Sequence, residues 1–404
     1  MPVSPVFRAL GALVVLPAVL VAQRGGARPA PPSAPPAAAL DSAAVARLAG
    51  AVPLRSLGPA AMSGRITALA VPRPFRRSYF VGTAGGGVWR TSNGGITWRP
   101  IADSIGALSI GDLAVAPSDT AVVWVGTGEK NSLRSQTWGN GVHKSTDGGR
   151  TWTAMGLADT KTIGRVLIHP RDPNTVYVGA LGHLWGPNRE RGVFKTTDGG
   201  KTWARVLFVN DTSGIVDMAF DPSNPDVLYA SSWHRLRLGG SRMQGVGAGS
   251  ALWKSSDGGA TWTRLTDSSR RNGLPWRDMG RIGIATSAAD PRVVYAMITV
   301  DRGIVQGGAQ PVGGLFRSAD AGATWTRVND LQPTAHYFYD DVIADPSNAD
   351  RLWLTNTPLL SSTDGGRTVR QDSLVQIHVD HHALWIDPDD PDHRLLGNDG
   401  GVYL

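Results

Sequence analysis

The chain has 404 residues, a formal net charge of +7, 41% hydrophobic residues and 18% charged residues. This length suits two or three average domains or one large all-β unit, and the composition is that of a globular protein with a substantial core. The positive charge forms no cluster of Lys and Arg interleaved with aromatic residues, which argues against a nucleic-acid partner. The 50 Gly and 27 Pro residues favour many tight turns between short strands, and the absence of Cys excludes disulfide bonds.

The N-terminal segment carries export signals. Arg8 precedes the apolar run 9–22, ALGALVVLPAVLVA. This pattern is typical of a secretory signal peptide, here 1–22, and the run is too short for a comfortable transmembrane helix. Residues 23–50 follow as a Pro/Ala-rich linker that cannot build a core. The sequence therefore predicts a periplasmic or extracellular protein that has no membrane segment after signal removal.

An eight-residue motif recurs six times after the linker. The octets are TSNGGITW (91–98), STDGGRTW (145–152), TTDGGKTW (196–203), SSDGGATW (255–262), SADAGATW (318–325) and STDGGRTV (362–369). Their third residues are 54, 51, 59, 63 and 44 positions apart. A period near fifty is typical of one β-propeller blade, which needs four short strands.

Each octet follows three predicted strands. In the third unit these are RVLIHP (165–170), TVYVGA (175–180) and GVFK (192–195), and the Thr-Trp of the octet begins a fourth strand. The pattern predicts a four-stranded antiparallel meander in each unit.

A seventh unit begins near His378 and supplies three strands, HHALWIDP, RLLGNDG and GVYL. The sequence thus predicts an all-β fold, a seven-bladed propeller of four-stranded blades over residues 51–404. We expect VPLRSLG (52–58) to provide the missing outer strand and close the ring. The alternative, compatible with the first, is that the chain is the front part of a longer protein with a further C-terminal domain.

The octets have the composition of a turn. Asp accepts hydrogen bonds from backbone N–H groups, the Gly pair adopts positive φ, and Trp buries its ring against the blade. Asn93, Ala321 and Val369 depart from the pattern, and a site that needs charge would not tolerate Asn93. The spacing also lacks the alternating carboxylates of a calcium loop. The octet is therefore interpreted as structural.

The six octets over 91–369 resemble Asp-boxes, also called BNR repeats. This motif is shared by sialidases, sortilin-type receptors, photosystem assembly propellers and xyloglucan-cleaving glycoside hydrolases built from two propellers. The first unit, RITALAVP…GGGVWRTSNGGITW, is most similar to the xyloglucan-cleaving group and to sortilin-like exported bacterial proteins often labelled glycosyl hydrolase. The resemblance implies the propeller fold and leaves function open.

Binding is expected on the face opposite the octets, where the second-to-third-strand loops are long in units 2 to 5. Long loops on a rigid scaffold usually bind ligands, and the alternative is that they only cover the channel mouth. Besides Glu129, Asn131, Arg134 and Arg235, these loops contain the predicted ligand-binding residues Trp138, His183, Trp185, Asn188, Glu190, Arg191, Trp233 and His234. Such aromatic and polar side chains suit a sugar or a peptide.

Charged residues of alternating sign begin the innermost strands. This channel-mouth ring is Arg65, Asp112, Arg165, Asp217, Arg281, Asp341 and His382. The favoured interpretation is a network of ion pairs between blades, and the alternative is a polar pocket for a ligand on the axis.

No cofactor is predicted. His378, Asp380 and His382 would share one face of a strand and are the candidate metal ligands. Channel-lining His residues paired with Asp are the commoner arrangement.

A conventional glycosidase needs two carboxylates across the scissile bond. The xyloglucanase resemblance implies one catalytic Asp just before the GGGVWR segment, where this sequence has Ala84, and a second from another propeller. Glu129, Glu190, Asp340 and Asp341 are the candidate catalytic carboxylates in this chain. A sialidase arrangement could be assembled from Arg65, Arg165 and Arg281 with Tyr337 or Tyr339, but their even spacing singles out none.

The sequence thus favours an exported Asp-box propeller that acts as a binding scaffold for a carbohydrate or a peptide. The alternative is a glycoside hydrolase of xyloglucanase or sialidase type acting on polysaccharide, and the second alternative is an assembly factor for another exported protein. The sequence does not decide whether the protein is an enzyme.

Overall fold

The computed structural model of the chain describes residues 64–404, except 74, 132–135, 240–242, 278, 301–312 and 375. The predicted signal peptide, the linker and the closing strand VPLRSLG (52–58) lie outside the described residues. The described residues form seven consecutive antiparallel sheets, which confirms the predicted seven-bladed β-propeller. Among them, no helix has the length and apolar character that crossing a membrane would need.

Blades 1 to 3 each have four strands in sequential order. They are β1 (Ile66–Ala70), β2 (Tyr79–Thr83), β3 (Val88–Thr91) and β4 (Arg99–Pro100); β5 (Ile110–Ala116), β6 (Asp119–Thr127), β7 (Val142–Ser145) and β8 (Thr153–Ala154); and β9 (Ile163–Ile168), β10 (Val176–Ala180), β11 (Gly192–Thr196) and β12 (Ala204–Leu207). Two single-turn 3₁₀ helices, Asp103–Ile105 and Ala158–Thr160, follow β4 and β8.

Blades 4 to 6 also have four strands, whereas three strands of blade 7 are described. The strands of blade 4 are β13 (Ser213–Phe220), β14 (Leu228–His234), β17 (Ala251–Ser255) and β18 (Thr263–Arg264), with a small hairpin, β15 (Leu236–Arg237) and β16 (Met243–Gln244), between the second and third. Those of blades 5 to 7 are β19 (Met279–Thr286), β20 (Val294–Val300), β21 (Gly314–Ser318) and β22 (Thr326–Asn329); β23 (Val342–Ala344), β24 (Leu352–Leu354), β25 (Leu360–Ser362) and β26 (Arg370–Gln371); and β27 (His381–Asp387), β28 (Asp390–Asn398) and β29 (Gly401–Tyr403).

The hydrophobic core lies between the blades. The second strand of blade 3, VYVGA, is buried along its whole length, because side chains on both of its faces contact a neighbouring blade. Its fourth strand, ARVL, begins with exposed residues at the rim. One apolar cluster joins Trp124 and Val142 of blade 2 to Val176 and Val178 of blade 3. Apolar packing between neighbouring blades therefore contributes to the core of the ring.

Blade 7 packs against blade 1, since β1 contacts both β27 and β28. At this junction a Cβ added to Gly397 would lie 2.6 Å from Ile66 Cγ2. The same close approach occurs at an interior junction, where a Cβ on Gly126 would lie 2.4 Å from Ile163 Cγ2. Both glycines lie near the end of the second strand of their blade. The contact between the last and first described blades thus repeats the packing between interior blades.

The octets form the turns between third and fourth strands, as the sequence predicts. In the second octet the Asp147 carboxylate accepts from the Ser145 hydroxyl at 2.7 Å, from the Thr151 N–H at 2.9 Å and from the Thr151 hydroxyl at 2.7 Å. Trp152 donates to the Ile101 carbonyl of the preceding blade at 2.6 Å. Both oxygens of the carboxylate accept hydrogen bonds from the turn itself. This explains the preference for Asp at this position without a catalytic or metal-binding role.

Two departures from the octet pattern keep this geometry. Asn93 Oδ1 accepts from the Thr97 N–H at 2.9 Å, and Asn93 Nδ2 donates to the Thr97 hydroxyl at 2.9 Å. Ala321 adopts the left-handed conformation of the Gly that it replaces, with φ of 55°. The turn therefore depends on hydrogen-bonding geometry and backbone conformation more than on charge.

Candidate functional site

The face opposite the Asp-boxes is called here the long-loop face. It carries the loops between second and third strands and those that lead from each blade into the next, because the strands of a blade alternate in direction. The innermost strands also begin on this face, so the predicted ligand-binding loops and the predicted charged ring lie together.

The loop after β6 turns inward to the propeller axis. Glu129, Lys130 and Asn131 are all buried. Glu129 forms a two-pronged ion pair with Arg65 of blade 1, with Nε–Oε1 at 2.5 Å and Nη2–Oε2 at 3.0 Å. A charged segment that the sequence places in an open loop therefore contributes to a buried network.

The same loop reaches across to blades 5 and 6. Lys130 Nζ lies 3.2 Å from Asp341 Oδ2, and Arg281 Nη1 donates to Asn131 Oδ1 at 2.7 Å. Arg281 also lies 2.6 Å from Asp340 Oδ1, measured from Nε, and 3.4 Å from Asp341 Oδ1, measured from Nη2. The two contacts made by the loop join residues 211 and 150 positions apart and connect blade 2 to the non-adjacent blades 6 and 5.

Within the predicted ring, Arg165 pairs with Asp217 of the next blade at 2.8 Å, and Arg281 pairs with Asp341 of the next blade at 3.4 Å. Two other carboxylate oxygens of the ring accept from backbone N–H groups. Asp112 Oδ2 accepts from the Val166 N–H at 2.7 Å, and Asp217 Oδ2 accepts from the Ile284 N–H at 2.9 Å. Each of these bonds crosses from one blade to the next, so the geometry fits the interpretation as inter-blade pairing.

Burial perturbs the carboxylates of this network. It raises the pKa of Glu129 to about 7, although Arg65 opposes the shift. It also raises the pKa of Asp340 well above its usual range, with Arg281 opposing. Burial acts in the same direction on Asp341, but Lys130 and Arg281 outweigh it and hold the pKa of that carboxyl well below its usual range. Three of the four carboxylates proposed from the sequence for catalysis are thus committed to buried ion pairs.

The histidines near the axis do not form the metal cluster considered from the sequence. Asp380 adopts a left-handed conformation, with φ of 68°, and β27 begins only at His381, so strand alternation does not place His378, Asp380 and His382 on one face. His382 Nε2 instead lies 2.9 Å from Asp399 Oδ1, and the Tyr339 hydroxyl donates to Asp380. No group of three or more potential ligands is placed to hold a metal ion in the described part of the chain.

Exposed aromatic rings from neighbouring blades meet on the long-loop face. Trp138, from the loop after β6, is 57% exposed and stacks on His183 of blade 3, with ring centroids 6.3 Å apart and an interplanar angle of 18°. Trp185 of the same blade-3 loop is 48% exposed, and the Arg237 guanidinium of blade 4 lies 5.4 Å from its ring centroid. We call Trp138, His183, Trp185 and Arg237 the aromatic shelf.

The other predicted ligand-binding residues divide by burial. Asn188 orients the blade-3 loop by accepting from the His183 N–H at 2.9 Å, and it donates to the exposed Glu190 at 3.2 Å. His234 is half-buried and lies 3.2 Å from the Thr212 hydroxyl. These three residues are within reach of solvent on the long-loop face.

Arg191 and Trp233 differ from the expected exposed position. Arg191 is fully buried and donates to the backbone carbonyls of Leu181 and His183, which fixes the shape of the blade-3 loop. Trp233 is also fully buried and donates to the Gly245 carbonyl at 2.8 Å. They support the loops from inside. Arg134, also in these loops, lies outside the described residues.

The sequence reasoning missed three polar residues of this face, Lys130, Arg237 and Asp399. Lys130 lies three residues after the end of the buried strand β6, and the adjacent charged pair Glu129 and Lys130 in that position is a signal for an inward turn towards other charges. Arg237 lies in WHRLRLGG, four residues after the predicted ligand-binding residue Trp233. Asp399 closes the turn before β29 and had no pattern to mark it.

Repeats, blade order and turn geometry together define an Asp-box β-propeller. The family model described as "Sortilin, neurotensin receptor 3" matches residues 140–297. A xyloglucanase from Paenibacillus sp. is 26% identical over 272 residues, which cover 59% of this chain and 23% of that protein. The chain is thus an Asp-box propeller similar to sortilin-type and xyloglucanase proteins.

Solved structures agree at the level of fold. The GH74 xyloglucanase from Xanthomonas campestris matches with a TM-score of 0.60 and 20% identity, over 86% of this chain and 52% of that one. YCF48 bound to D1 peptide matches with a TM-score of 0.53 and 16% identity, over 87% of this chain and 98% of that one. The chain spans about half the length of the GH74 protein, at 52%, and less than a quarter of the Paenibacillus xyloglucanase, at 23%.

Proposed function

We propose that this propeller binds polysaccharide across its long-loop face, as the substrate-binding propeller of a glycoside hydrolase of xyloglucanase type. The observation that carries the proposal is the aromatic shelf, because exposed Trp rings supported from below provide flat apolar surfaces on which sugar rings stack. The similarity to xyloglucanases supports this choice of ligand class over a peptide. Export to the periplasm or beyond, where such polysaccharides occur, remains part of the proposal.

The shelf has features of a carbohydrate site besides exposure. His183 stacks under Trp138, and Arg237 lies over Trp185, so each large ring is held by a partner from a neighbouring element. Asn188 and Glu190, beside the shelf on the same loop, offer hydrogen-bonding groups for sugar hydroxyls. A ring that is already ordered loses less conformational entropy on binding.

Hydrolysis needs carboxylates that the described network does not leave free. Glu129, Asp340 and Asp341 are held by Arg65, Arg281 and Lys130. Ala84, at the position where the xyloglucanase resemblance implies a catalytic Asp, has no acidic group. Glu190 is the exposed carboxylate among the sequence candidates. We therefore propose that this chain supplies substrate binding and that bond cleavage requires a further carboxylate from beyond the described residues.

Calorimetric titration of the purified chain with xyloglucan oligosaccharides tests the binding proposal. We expect Trp138→Ala to weaken binding by about tenfold or more, because the ring would bury a large part of its area against the sugar. Ile96→Ala is the control, since Ile96 is 74% exposed and lies in the first octet on the Asp-box face. Equal affinity of wild type and Trp138→Ala, or no binding to any xyloglucan or related β-glucan, would contradict the proposal.

A reducing-sugar assay on the same polysaccharides tests whether this chain binds substrate without cleaving it. We expect binding without release of reducing ends by this chain alone. Release that Glu190→Gln abolishes would instead give the chain a catalytic carboxylate of its own. A stable protein partner that co-purifies, together with no glycan binding, would favour the assembly-factor alternative.

A further inference from the structure

A second groove lies away from the aromatic shelf, at the Asp-box face and rim between blades 1 and 2. It consists of two adjoining cavities of about 610 Å³ and about 530 Å³, which share Arg90 and Ser92 in their walls. Five arginines line it among the described residues, against the single acidic side chain of Asp103. They are Arg76, Arg77, Arg90, Arg99 and Arg150. We call this the basic groove.

Two of these arginines have structural partners. Arg90 donates to the Gly148 carbonyl at 2.8 Å, with its guanidinium over the Phe80 ring. Arg76 lies 2.9 Å from Asp387 Oδ2. Both therefore hold neighbouring blades in place while contributing positive charge to the groove.

The other three, Arg77, Arg99 and Arg150, are exposed and make no ion pair with a carboxylate of the described chain. Arg77 and Arg150 contact only backbone oxygens of the octets, Asn93 O at 3.4 Å and Asp147 O at 3.1 Å. Their guanidinium groups keep most of their five donors for a ligand.

The one Asp-box without a carboxylate borders this groove. Thr91, Ser92 and Thr97 of the first octet line the cavity, and this octet has Asn93 where the five others have Asp. The corresponding groove between blades 4 and 5 is lined by Lys254 and Arg270 but retains Asp257. Because Asn93 preserves the turn without its charge, the substitution has one clear electrostatic effect, which is to leave the groove more positive.

We propose that the basic groove binds an acidic polysaccharide, whose carboxylate groups pair with the arginines of the groove. Guanidinium forks match the planar geometry of a carboxylate and form paired hydrogen bonds with it. The Phe75 ring, 57% exposed at one end of the groove, provides an apolar surface for a sugar ring. The open form of the groove, with arginines along its length, suits a chain with repeated charges. The propeller thus has two glycan sites on different faces, one for neutral and one for acidic chains.

Binding of oligogalacturonate at low ionic strength, followed by calorimetry, tests the site. We expect the double variant Arg99→Gln/Arg150→Gln to lose about tenfold in affinity, roughly threefold for each exposed charge contact. Raising the salt concentration should weaken wild-type binding, since these contacts are open to screening. Arg270→Gln is the matched control in the groove that retains Asp257, and it should leave the affinity unchanged.

Asn93→Asp provides a test that does not depend on removing a side chain. It restores the residue found in the other octets, so the melting temperature should be equal to or above that of the wild type, while oligogalacturonate binding weakens. Binding of xyloglucan oligosaccharides should be unchanged in all these variants, which separates failure of this site from failure of the aromatic shelf.

Three results would overturn the proposal. They are the absence of oligogalacturonate binding, unchanged affinity in both the double arginine variant and Asn93→Asp, and equal or tighter binding of a single-stranded oligonucleotide of the same length. The last outcome would assign the groove to nucleic acid.

Discussion

At the scale of single residues, the Asp-box shows how one side chain holds a turn by geometry. Asp147 and Asn93 occupy equivalent positions and make equivalent bonds to the Thr four residues later, one through a second carboxylate oxygen and the other through an amide N–H. We therefore expect Asp147→Asn to shift the melting temperature little and Asp147→Ala to lower it by several degrees, because only alanine leaves the Thr151 groups and the Ser145 hydroxyl without an acceptor. Thermal unfolding of both variants tests this, and equal losses would mean that charge, and not geometry, stabilises the turn.

The carboxylates also predict how stability depends on pH. Hydrogen bonds from Thr261 lower the pKa of Asp257 to about 2, and those from Thr368 lower the pKa of Asp364 to about 2. A group whose pKa is lower in the folded state contributes stability above its unfolded pKa, and this is lost as the pH falls through the folded value. We therefore expect the melting temperature to fall as the pH decreases from about 4 to about 2.

Glu129 makes stability depend on pH in the opposite direction from Asp257 and Asp364. Burial raises its pKa to about 7, so its contribution is fully present below the unfolded value and is lost as the pH rises through about 7. The melting temperature should therefore also decline as the pH rises from about 5 to about 8. Glu129→Gln, which cannot ionise, should make this decline shallower whatever its effect on the absolute melting temperature. Identical slopes for the variant and the wild type would contradict the assignment.

At the scale of elements, the third strands of blades 1 to 4 each fasten their blade to the Asp-box of the next through a basic residue. Lys195 donates to the Gly258 carbonyl at 2.7 Å while lying over the Tyr177 ring, and Lys254 donates to the Ala321 carbonyl at 2.6 Å while lying over Tyr229. Arg90 makes the same contact with Gly148. The octet is thus a turn within one blade and an acceptor for its neighbour.

Replacement of this basic residue should weaken a blade junction. We expect Lys195→Met to destabilise the fold by about 1–3 kcal/mol, from the loss of a charge-assisted hydrogen bond and a cation–π contact. Lys201→Met is the control, because Lys201 is exposed within the same blade's octet and makes no hydrogen bond in the described chain. Urea denaturation measures both, and equal midpoints for the two variants would exclude a specific role for the strand-three cation.

The sequence predicts the octets and strands better than it predicts the loops. The octets and the strands before them repeat, so turn chemistry and hydrophobic runs suffice to predict the blades and their order. The loops do not repeat. Trp138 and Trp185 are exposed as expected. Arg191 is instead buried by its own loop, and Trp233, near the end of β14, is buried against Leu181 and Val216. Burial of a loop residue depends on how the loop folds back, for which the sequence has no period.

The network of ion pairs at the propeller axis was harder still to predict from the sequence. Glu129 is held by Arg65 and Asn131 by Arg281, partners 64 and 150 positions away. Alternating charges at the strand starts indicated the ring, but only the fold shows that a loop of blade 2 turns inward to meet it. Long-range pairing of this kind depends on the three-dimensional placement of whole blades.

At the scale of the whole molecule, stability depends on the contact between the last and first blades. Gly397 approaches Ile66 as closely as Gly126 approaches Ile163 inside the ring. Gly397→Ala should therefore overpack the closing junction and cost about 1–3 kcal/mol. Adding Ile66→Ala removes the clashing methyl groups, so the double variant should be more stable than the sum of the single effects predicts, by about 0.5–3 kcal/mol. The pair Gly126→Ala and Ile163→Ala provides the interior reference, measured by the same urea denaturation. A coupling at Gly397 and Ile66 within error of zero, beside a clear coupling at Gly126 and Ile163, would mean that blades 1 and 7 do not pack in solution as the interior blades do.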